Sequence, residues 1–584
     1  MKKRPFVNHN RILLFLFIVG SFLFVELNFR YWYRFMEQYM MFQTTGSYFR
    51  ERLAEPGGWN EYATEFVSLL FTRPLGAAIV TSSLLGVSAA CFFGYLKKFQ
   101  MKVSMWMAVL PFFLFGWFPQ ESIALLMMVA WALVCARLYV QVDWAELRFF
   151  VGIGLTTLFY FAATPAHLLL AVLIVLYEFG ASGTKKGRIF SALNLSWAFL
   201  LPLVSMRTLY ILPMREAFLS KHLSHPEYPV PAVLWWVLIA FPMITLQVMA
   251  LRNKVIFRKE SLRIGAAYSS LLVMMGLGIY FIKDPMEQAY RYDQYAREGE
   301  WQKIITHAQT HPVRDKDALV YLNLALSKQG NFIDNLLHYP QIGEDGFIPH
   351  DPKSRLGLIQ ASEVAWQVGQ VNAAQRFAFV GVLSSERCVQ PRLMKRLVET
   401  YLVTGEYGAA AKYIKILETS PHYRAWAKAR RPLLDTAVCA ATDWVQAKRK
   451  WLPVTDNPFD LTKALPSALA FLIDDHADNR YAFEYGMAYL LVYKDLNAFM
   501  HYMEVKKQEG MRLPRLYQEA ICLYYAAVQR NPEAFKSYAI SKEVHAKFLQ
   551  FLQAANAMSP EMLKQQFGDT YYYYAQFVPT PKRQ

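Results

Sequence analysis

The chain has 584 residues, of which 54% are hydrophobic and 16% aromatic. That is too apolar for an ordinary soluble protein and too long for a single domain. The formal net charge is +17, but the basic side chains cluster in short segments between long apolar runs, a mark of membrane topology that argues against a nucleic-acid partner.

Apolar runs long enough to cross about 30 Å of hydrocarbon lie at residues 11–29, 73–96, 103–119, 122–140, 149–164, 166–180, 189–209, 231–251 and 264–282. They predict an all-α fold: a polytopic transmembrane bundle of about nine spans in residues 1–285, followed by a helical domain in residues 286–584. Lys2, Lys3, Arg4 and Arg11 precede the first run; Lys97, Lys98 and Lys102 follow the second; Arg137 and Arg148 flank the next loop on that side. Lys185, Lys186 and Arg188, and later Arg252, Lys254, Arg258, Lys259 and Arg263, fall on the same side. By the positive-inside bias that side is cytoplasmic, so the N-terminus is expected inside and residues 286–584 outside. Val25, Glu26, Leu27 and Asn28 offer no small-residue cleavage site, so the first run reads as an uncleaved anchor.

The first outer loop, residues 29–70, holds the candidate chemistry. Glu26 lies about 22 Å up a helix from Arg11, still within the outer leaflet, where a carboxylate needs a reason. Arg30, Arg34 and Glu37 extend one stripe from it if the helix continues, among the interfacial aromatics Phe29, Tyr31, Trp32, Tyr33 and Phe35. Pro56-Gly57-Gly58 breaks the chain, after which Asn60 is expected to cap a helix carrying Glu61 and Glu65 one turn apart. Arginines suit phosphate, and a carboxylate suits a divalent metal or general-base work. The competing reading is a self-neutralising ladder that only anchors the loop. Glu121, His167, Arg207, Arg215, Glu216, His222 and His225 are further outer-face candidates, with Arg207 and Arg215 as additional phosphate ligands. No phosphate-cradling Gly-rich loop, zinc-type His and Glu pair or nucleophile-elbow serine is present.

Beyond residue 285 the periodicity is helical throughout. One pattern recurs at Tyr295, Gly299, Trp301, Ile304 and Pro312; at Leu326, Gly330 and Phe332; at Gly369, Val371 and Ala374; and at Tyr401, Gly405, Tyr407, Ala410 and Pro421. It resembles the tetratricopeptide repeat, in which a Gly turns the chain between paired helices and a small residue lets them pack closely. The resemblance implies a solenoid that binds a protein or peptide partner; a plain spacer is the alternative. The basic stretch Arg424, Lys428, Arg430, Arg431, Lys448, Arg449 and Lys450 is either a solvated face or a surface for anionic head groups. Tyr571 to Tyr574 reads as a terminal aromatic segment that docks on the preceding helices. Cys91, Cys135, Cys388, Cys439 and Cys522 have no metal-like spacing, and one disulfide or five free thiols fits them.

Tyr48-Phe49, Pro56-Gly57-Gly58, Tyr62, Glu65-Phe66 and Pro74-Leu75-Gly76, ahead of many spans and a helical tail, resemble a family of uncharacterised polytopic inner-membrane proteins of Gram-negative bacteria. The layout also resembles the C-type (GT-C) glycosyltransferases, which use polyprenyl-phosphate sugars and place catalytic acids in the first outer loop. That likeness implies a multi-pass inner-membrane enzyme with a periplasmic C-terminal domain, Glu26, Glu61 and Glu65 as catalytic acids, and Arg30, Arg34, Arg207 and Arg215 on the substrate phosphate. The chain departs from that pattern in one respect: the usual loop acid is Asp, whereas the first Asp here is Asp143, on the cytoplasmic side. Two functions from different classes therefore stand, a glycosyltransferase acting on a lipid-linked sugar and a non-catalytic scaffold that binds envelope proteins.

Overall fold

The computed structural model describes residues 9–36, 40–99, 103–117, 122–220, 232–251, 260–330, 332–349, 351–385, 388–452, 465–476, 478–505, 513–528 and 538–579. Among these residues every regular element is helical, with no strand. The chain separates into two compact units: Met1–Glu287 with Thr419–His422, and Gln288–Glu418 with Tyr423–Gln584.

The first unit runs through α1 (His9–Asn28), α2 (Arg30–Met36), α3 (Gly46–Leu53), α4 (Gly58–Ser68), α5 (Gly76–Leu96), α6 (Met105–Val109) and α7 (Ser122–Tyr139). It continues through α8 (Ala145–Ala163), α9 (Ala166–Tyr177), α10 (Lys185–Thr208), α11 (Met214–Leu219), α12 (Ala232–Ala250) and α13 (Glu260–Phe281). Five of them, α1, α5, α8, α10 and the Ile264–Phe281 part of α13, are long and apolar enough to cross a membrane. Ile123–Tyr139, Ala166–Ser182 and Leu234–Ala250 are apolar but shorter. The expected run at 103–119 is not one long α-helix: α6 gives way to a 3₁₀ segment over Leu110–Trp117. Pro111 supplies no backbone N–H there and Gly116 adds no side chain, so the α-helical ladder has little to hold it.

Packing follows from side-chain size. On α1 the buried residues Leu13, Phe17, Ser21, Val25 and Asn28 recur every three or four positions, one stripe of the helix. A Cβ at Gly20 would stand 1.5 Å from Met275 Cε, and one at Gly86 would stand 2.7 Å from Ile18 Cδ1. These glycines let α1 approach α13 and α5 closely, the use small residues have between membrane helices.

The second unit begins with α14 (Glu287–Glu298), α15 (Trp301–Thr310), α16 (Lys316–Lys328), α17 (Phe332–Asn335), α18 (Arg355–Val368), α19 (Val371–Leu383), α20 (Pro391–Thr404) and α21 (Tyr407–Glu418). Gly299, Gly330, Gly369 and Gly405 stand between the members of these pairs at φ +75°, +75°, +100° and +86°. Each ends its helix in the left-handed region, which a Cβ disfavours, and so turns the chain back on itself. There follow α22 (Arg424–Arg430), α23 (Thr436–Ala440), α24 (Asp443–Arg449), α25 (Leu465–Asp475), α26 (Arg480–Tyr493), α27 (Leu496–Val505), α28 (Arg515–Leu523), α29 (Lys542–Ala555), α30 (Pro560–Phe567) and α31 (Tyr571–Phe577).

The four tyrosines of α31 are buried, as expected for a docking segment. Tyr571 and Tyr574 hydroxyls donate to the carbonyls of Leu491 and Val492 at 3.0 and 2.9 Å. Both are last-turn carbonyls of α26, where the helical ladder runs out, and Leu491 O also accepts the Lys494 N–H at 3.1 Å. All five cysteines are free thiols.

Candidate functional site

The expected stripe from Glu26 is only partly formed. Arg30 Nη1 meets Glu26 Oε1 at 3.2 Å, the i,i+4 pair anticipated, and its other nitrogen donates to the Tyr31 hydroxyl at 2.7 Å. The regular helix is interrupted at Phe29, and Arg34, half-buried on α2, makes no ion pair with a described residue. Glu37 lies outside the described residues.

The two loop helices meet on one cation that the spacing did not single out. Arg52, at the end of α3, is 4% exposed and lies over the Tyr48 ring, 5.0 Å from its centroid. Its Nη1 reaches Glu61 Oε2 at 3.4 Å, and its Nη2 pairs with Glu65 Oε1. Glu61 and Glu65, one turn apart on α4, therefore converge on a buried guanidinium. Glu65 Oε2 is itself buried and without a hydrogen-bond partner among the described residues. The site is walled by aromatic rings, with Tyr62 in ring contact with Phe42, Tyr48, Phe49 and Trp59.

The turn between the helices is fixed by its glycines. Gly57 lies at φ +80° and donates its N–H to Phe161 O at 2.9 Å; a Cβ there would meet Thr164 N at 3.2 Å. A Cβ on Gly58 would fall 1.6 Å from Arg52 O. The expectation that Asn60 caps α4 is corrected: Gly57 is the N-cap and Asn60 lies inside the first turn, its Nδ2 donating to Ala124 O at 3.0 Å. A left-handed Gly57 lets the chain enter the helix sooner than a side-chain cap would.

The remaining candidates do not gather here as a group. His167 is fully buried at the start of α9, edge-on to the Tyr160 ring at 5.2 Å, and neither ring nitrogen has a hydrogen-bond partner among the described residues. Arg207 is exposed at the end of α10 with no described ion-pair partner, Arg215 is exposed on α11, and Glu216 is half-buried. Glu121, His222 and His225 lie outside the described residues. Among the described residues no three His, Cys, Asp or Glu side chains form a metal-holding group.

Two further features escaped sequence reading. Arg148 serves there only as a topology marker, yet its Nε donates to Glu178 Oε1 at 2.7 Å and its Nη2 to Glu178 Oε2 at 3.3 Å, with both side chains buried. Tyr139 and the carbonyls of Val142 and Asp143 complete this clamp. The second feature is a cavity of about 470 Å³ between α1, α13 and the 3₁₀ segment, lined by Phe17, Phe24, Thr81, Phe112, Met275 and Phe281 among others. Next to its Ile282 wall, Lys283 Nζ donates to Asn28 Oδ1 at 2.8 Å. That exposed ammonium is held by a neutral acceptor and has no ion-pair partner among the described residues. Tyr33, which also lines the cavity, packs on Phe71 at 5.2 Å, in the short turn that follows α4.

A protein-family model described as a family of unknown function, DUF6057, matches residues 6–578. No curated protein and no solved structure matches the chain.

Proposed function

The chain belongs to the DUF6057 family, and from that footing we propose that its membrane unit is a GT-C-like glycosyltransferase acting on a polyprenyl-phosphate-linked sugar. The observation that carries this reading is the apolar cavity with an ammonium beside it that has no ion-pair partner among the described residues: a hydrocarbon chain fits the lining and a phosphate fits Lys283. In this proposal the protein sits in a bacterial inner membrane with about nine spans, N-terminus in the cytoplasm, as the basic loops suggest. The helix pairs of the second unit are periplasmic tetratricopeptide-like repeats that recruit the acceptor. Glu65, with one buried oxygen unpaired, is placed as the general base, and Glu26, Glu61, Arg30, Arg34, Arg207 and Arg215 as accessory groups.

A second reading has its own support. Arg52 engages both Glu61 and Glu65, the arrangement of an anchor that locks a loop, and this favours a non-catalytic scaffold. One experiment separates them. Gly278 lines the cavity and has no neighbour nearer than 4.0 Å to a Cβ, so Gly278→Leu fills the space without a backbone clash. Native mass spectrometry of the purified chain and a complementation assay are run on Gly278→Leu and Glu65→Gln. The enzyme reading expects wild type to carry a polyprenyl-phosphate lipid, Gly278→Leu to lose it, and Glu65→Gln to keep it while losing complementation. Full complementation by Glu65→Gln moves the assignment to the scaffold, and a wild-type chain free of such lipid sinks the substrate.

A further inference from the structure

The second unit gathers more positive than negative charge at one place. Asp293, on α14, accepts from the Tyr321 hydroxyl and pairs with Arg392. Glu363, on α18, takes Arg396 at 2.6 Å and Arg392 at 4.0 Å, and Gln367 Nε2 donates to it at 2.6 Å. Arg396 reaches Glu399 with its other terminal nitrogen at 3.1 Å. The carboxylates are thereby used up on the two arginines. Lys328, Lys395 and Lys448 have no ion-pair partner among the described residues; their companions are ring faces. Lys395 Nζ stands 4.9 Å over Trp426, Lys448 Nζ 4.7 Å over Trp366, and Lys328 Nζ 4.5 Å over Tyr481. Arg396 covers Trp366 as well, at 4.5 Å, and Trp444 lies 6.3 Å from Trp366.

A cation over an indole gains a modest attraction, far less than the cost of bringing several like charges together away from water. Arg430 adds another guanidinium over Trp426 and Trp444, at 5.1 and 5.8 Å. Lys448 also donates to Trp366 O, near the end of α18. Helix capping accounts for that one ammonium, but not for Lys395 and Lys328. What all of them lack, among the described residues, is an anion at ion-pair distance.

We propose that Lys328, Arg396 and Lys448 form a binding site for an oxyanion, a carboxylate or phosphate group carried by a ligand of this unit. The half-buried ammonium groups leave it open to solvent at its rim. Burial lowers both lysines, and beside Lys448 the cations Lys328 and Arg396 add to it and bring it to about 7. The charged groups around Lys448 are Lys328, Arg396, Glu363 and Glu399, and Glu363 also faces Lys328. An arriving oxyanion restores both protons, so its affinity falls as pH rises through their lowered values.

The test uses the full chain in detergent, titrated separately with inorganic phosphate and with succinate at constant ionic strength and followed by melting temperature. Succinate keeps its full charge over the range used, so its pH dependence reports the protein. A saturable rise with phosphate alone identifies a phosphate ligand, one with succinate alone a carboxylate ligand, and one with both the oxyanion class. The affinity is expected to be about tenfold or more weaker at pH 9 than at pH 6.5. Lys448→Met and Lys328→Met remove binding, Lys450→Met on the same helix end retains it, and Lys448→Arg retains it while flattening the pH dependence. No saturable shift with either anion overturns the proposal, as does a shift that survives both lysine-to-methionine changes.

Discussion

Buried charge is handled differently in the two units. In the first unit, the one with the long apolar helices, it occurs among the described residues in small groups: Arg148 with Glu178, and Arg52 with Glu61 and Glu65. Each cation there has one or two carboxylate partners among the described residues. In the second unit, Asp293, Arg392, Glu363, Arg396 and Glu399 form a continuous chain across three helices, edged by lysines. A small group fails completely when one member is lost, whereas a chain passes the loss along to neighbours. The difference follows from surroundings, because an apolar unit offers a stranded charge neither water nor a second partner.

The largest expected effect breaks a small group. Arg148→Ala leaves the Glu178 carboxylate buried without its cation, and the first unit should lose about 3 to 5 kcal/mol, read as a large drop in detergent melting temperature. The double change Arg148→Met with Glu178→Leu should recover most of it, since neither charge is then stranded. Arg396→Ala should cost visibly less, because Glu363 keeps Arg392 and Gln367. Equal losses for Arg148→Ala and Arg396→Ala would erase the distinction between the units.

An intermediate effect concerns an acid of the second unit that burial, more than any partner, controls. Glu519 is fully buried and accepts the Tyr571 N–H at 2.7 Å, with Arg515 Nε at 3.3 Å. Burial nevertheless raises it from 4.5 to about 7. The folded unit therefore holds a proton that the unfolded chain gives up, and this contribution is complete below pH 4.5 and lost as pH rises through 7. Between pH 4.5 and pH 8 that amounts to about 3 kcal/mol of lost stability. Glu519→Gln should flatten this slope in denaturant titrations at several pH values. An unchanged slope would place the pH sensitivity elsewhere.

At the small end is the exposed pair Lys450 and Asp478, 2.5 Å apart with both side chains more than half exposed. Solvent screens such a contact, so Asp478→Asn should leave the melting temperature where it was. A measurable drop would mean that surface pairs hold this unit as firmly as its interior chain does.

How much of this could be read from sequence depends on the range of each interaction. The four turn glycines, Gly299, Gly330, Gly369 and Gly405, announce themselves through local pattern, and each takes the left-handed conformation. Glu61 and Glu65 sit one turn apart, and their shared face was legible from that spacing alone. Their partner Arg52 was not, because it comes from across the Pro56-Gly57-Gly58 turn and no helical spacing links it to them. The Asn60 cap was misplaced because Asn is a favoured cap residue, while a glycine cap leaves no side-chain mark. The apolar run at 103–119 carries the composition of a span, but Pro111 and Gly116 break the ladder that length alone assumes. The lysine and tryptophan cluster draws on α16, α18, α20, α22 and α24, and only tertiary folding brings those positions together.

The cavity beside α1 and α13 sets the units in which its occupancy must be counted. Of the five helices long enough to cross a membrane, these two are the least buried, so a hydrocarbon ligand of the space they line, as proposed above, would come from the surrounding lipid. An occupant reaching it through a bilayer travels in two dimensions, and its effective concentration is a mole fraction among lipids. Diluting the aqueous phase then leaves occupancy unchanged, whereas adding lipid or detergent that carries no ligand lowers it. Affinities quoted in molar units for this site would drift with every change of micelle content, while those quoted per lipid would hold constant.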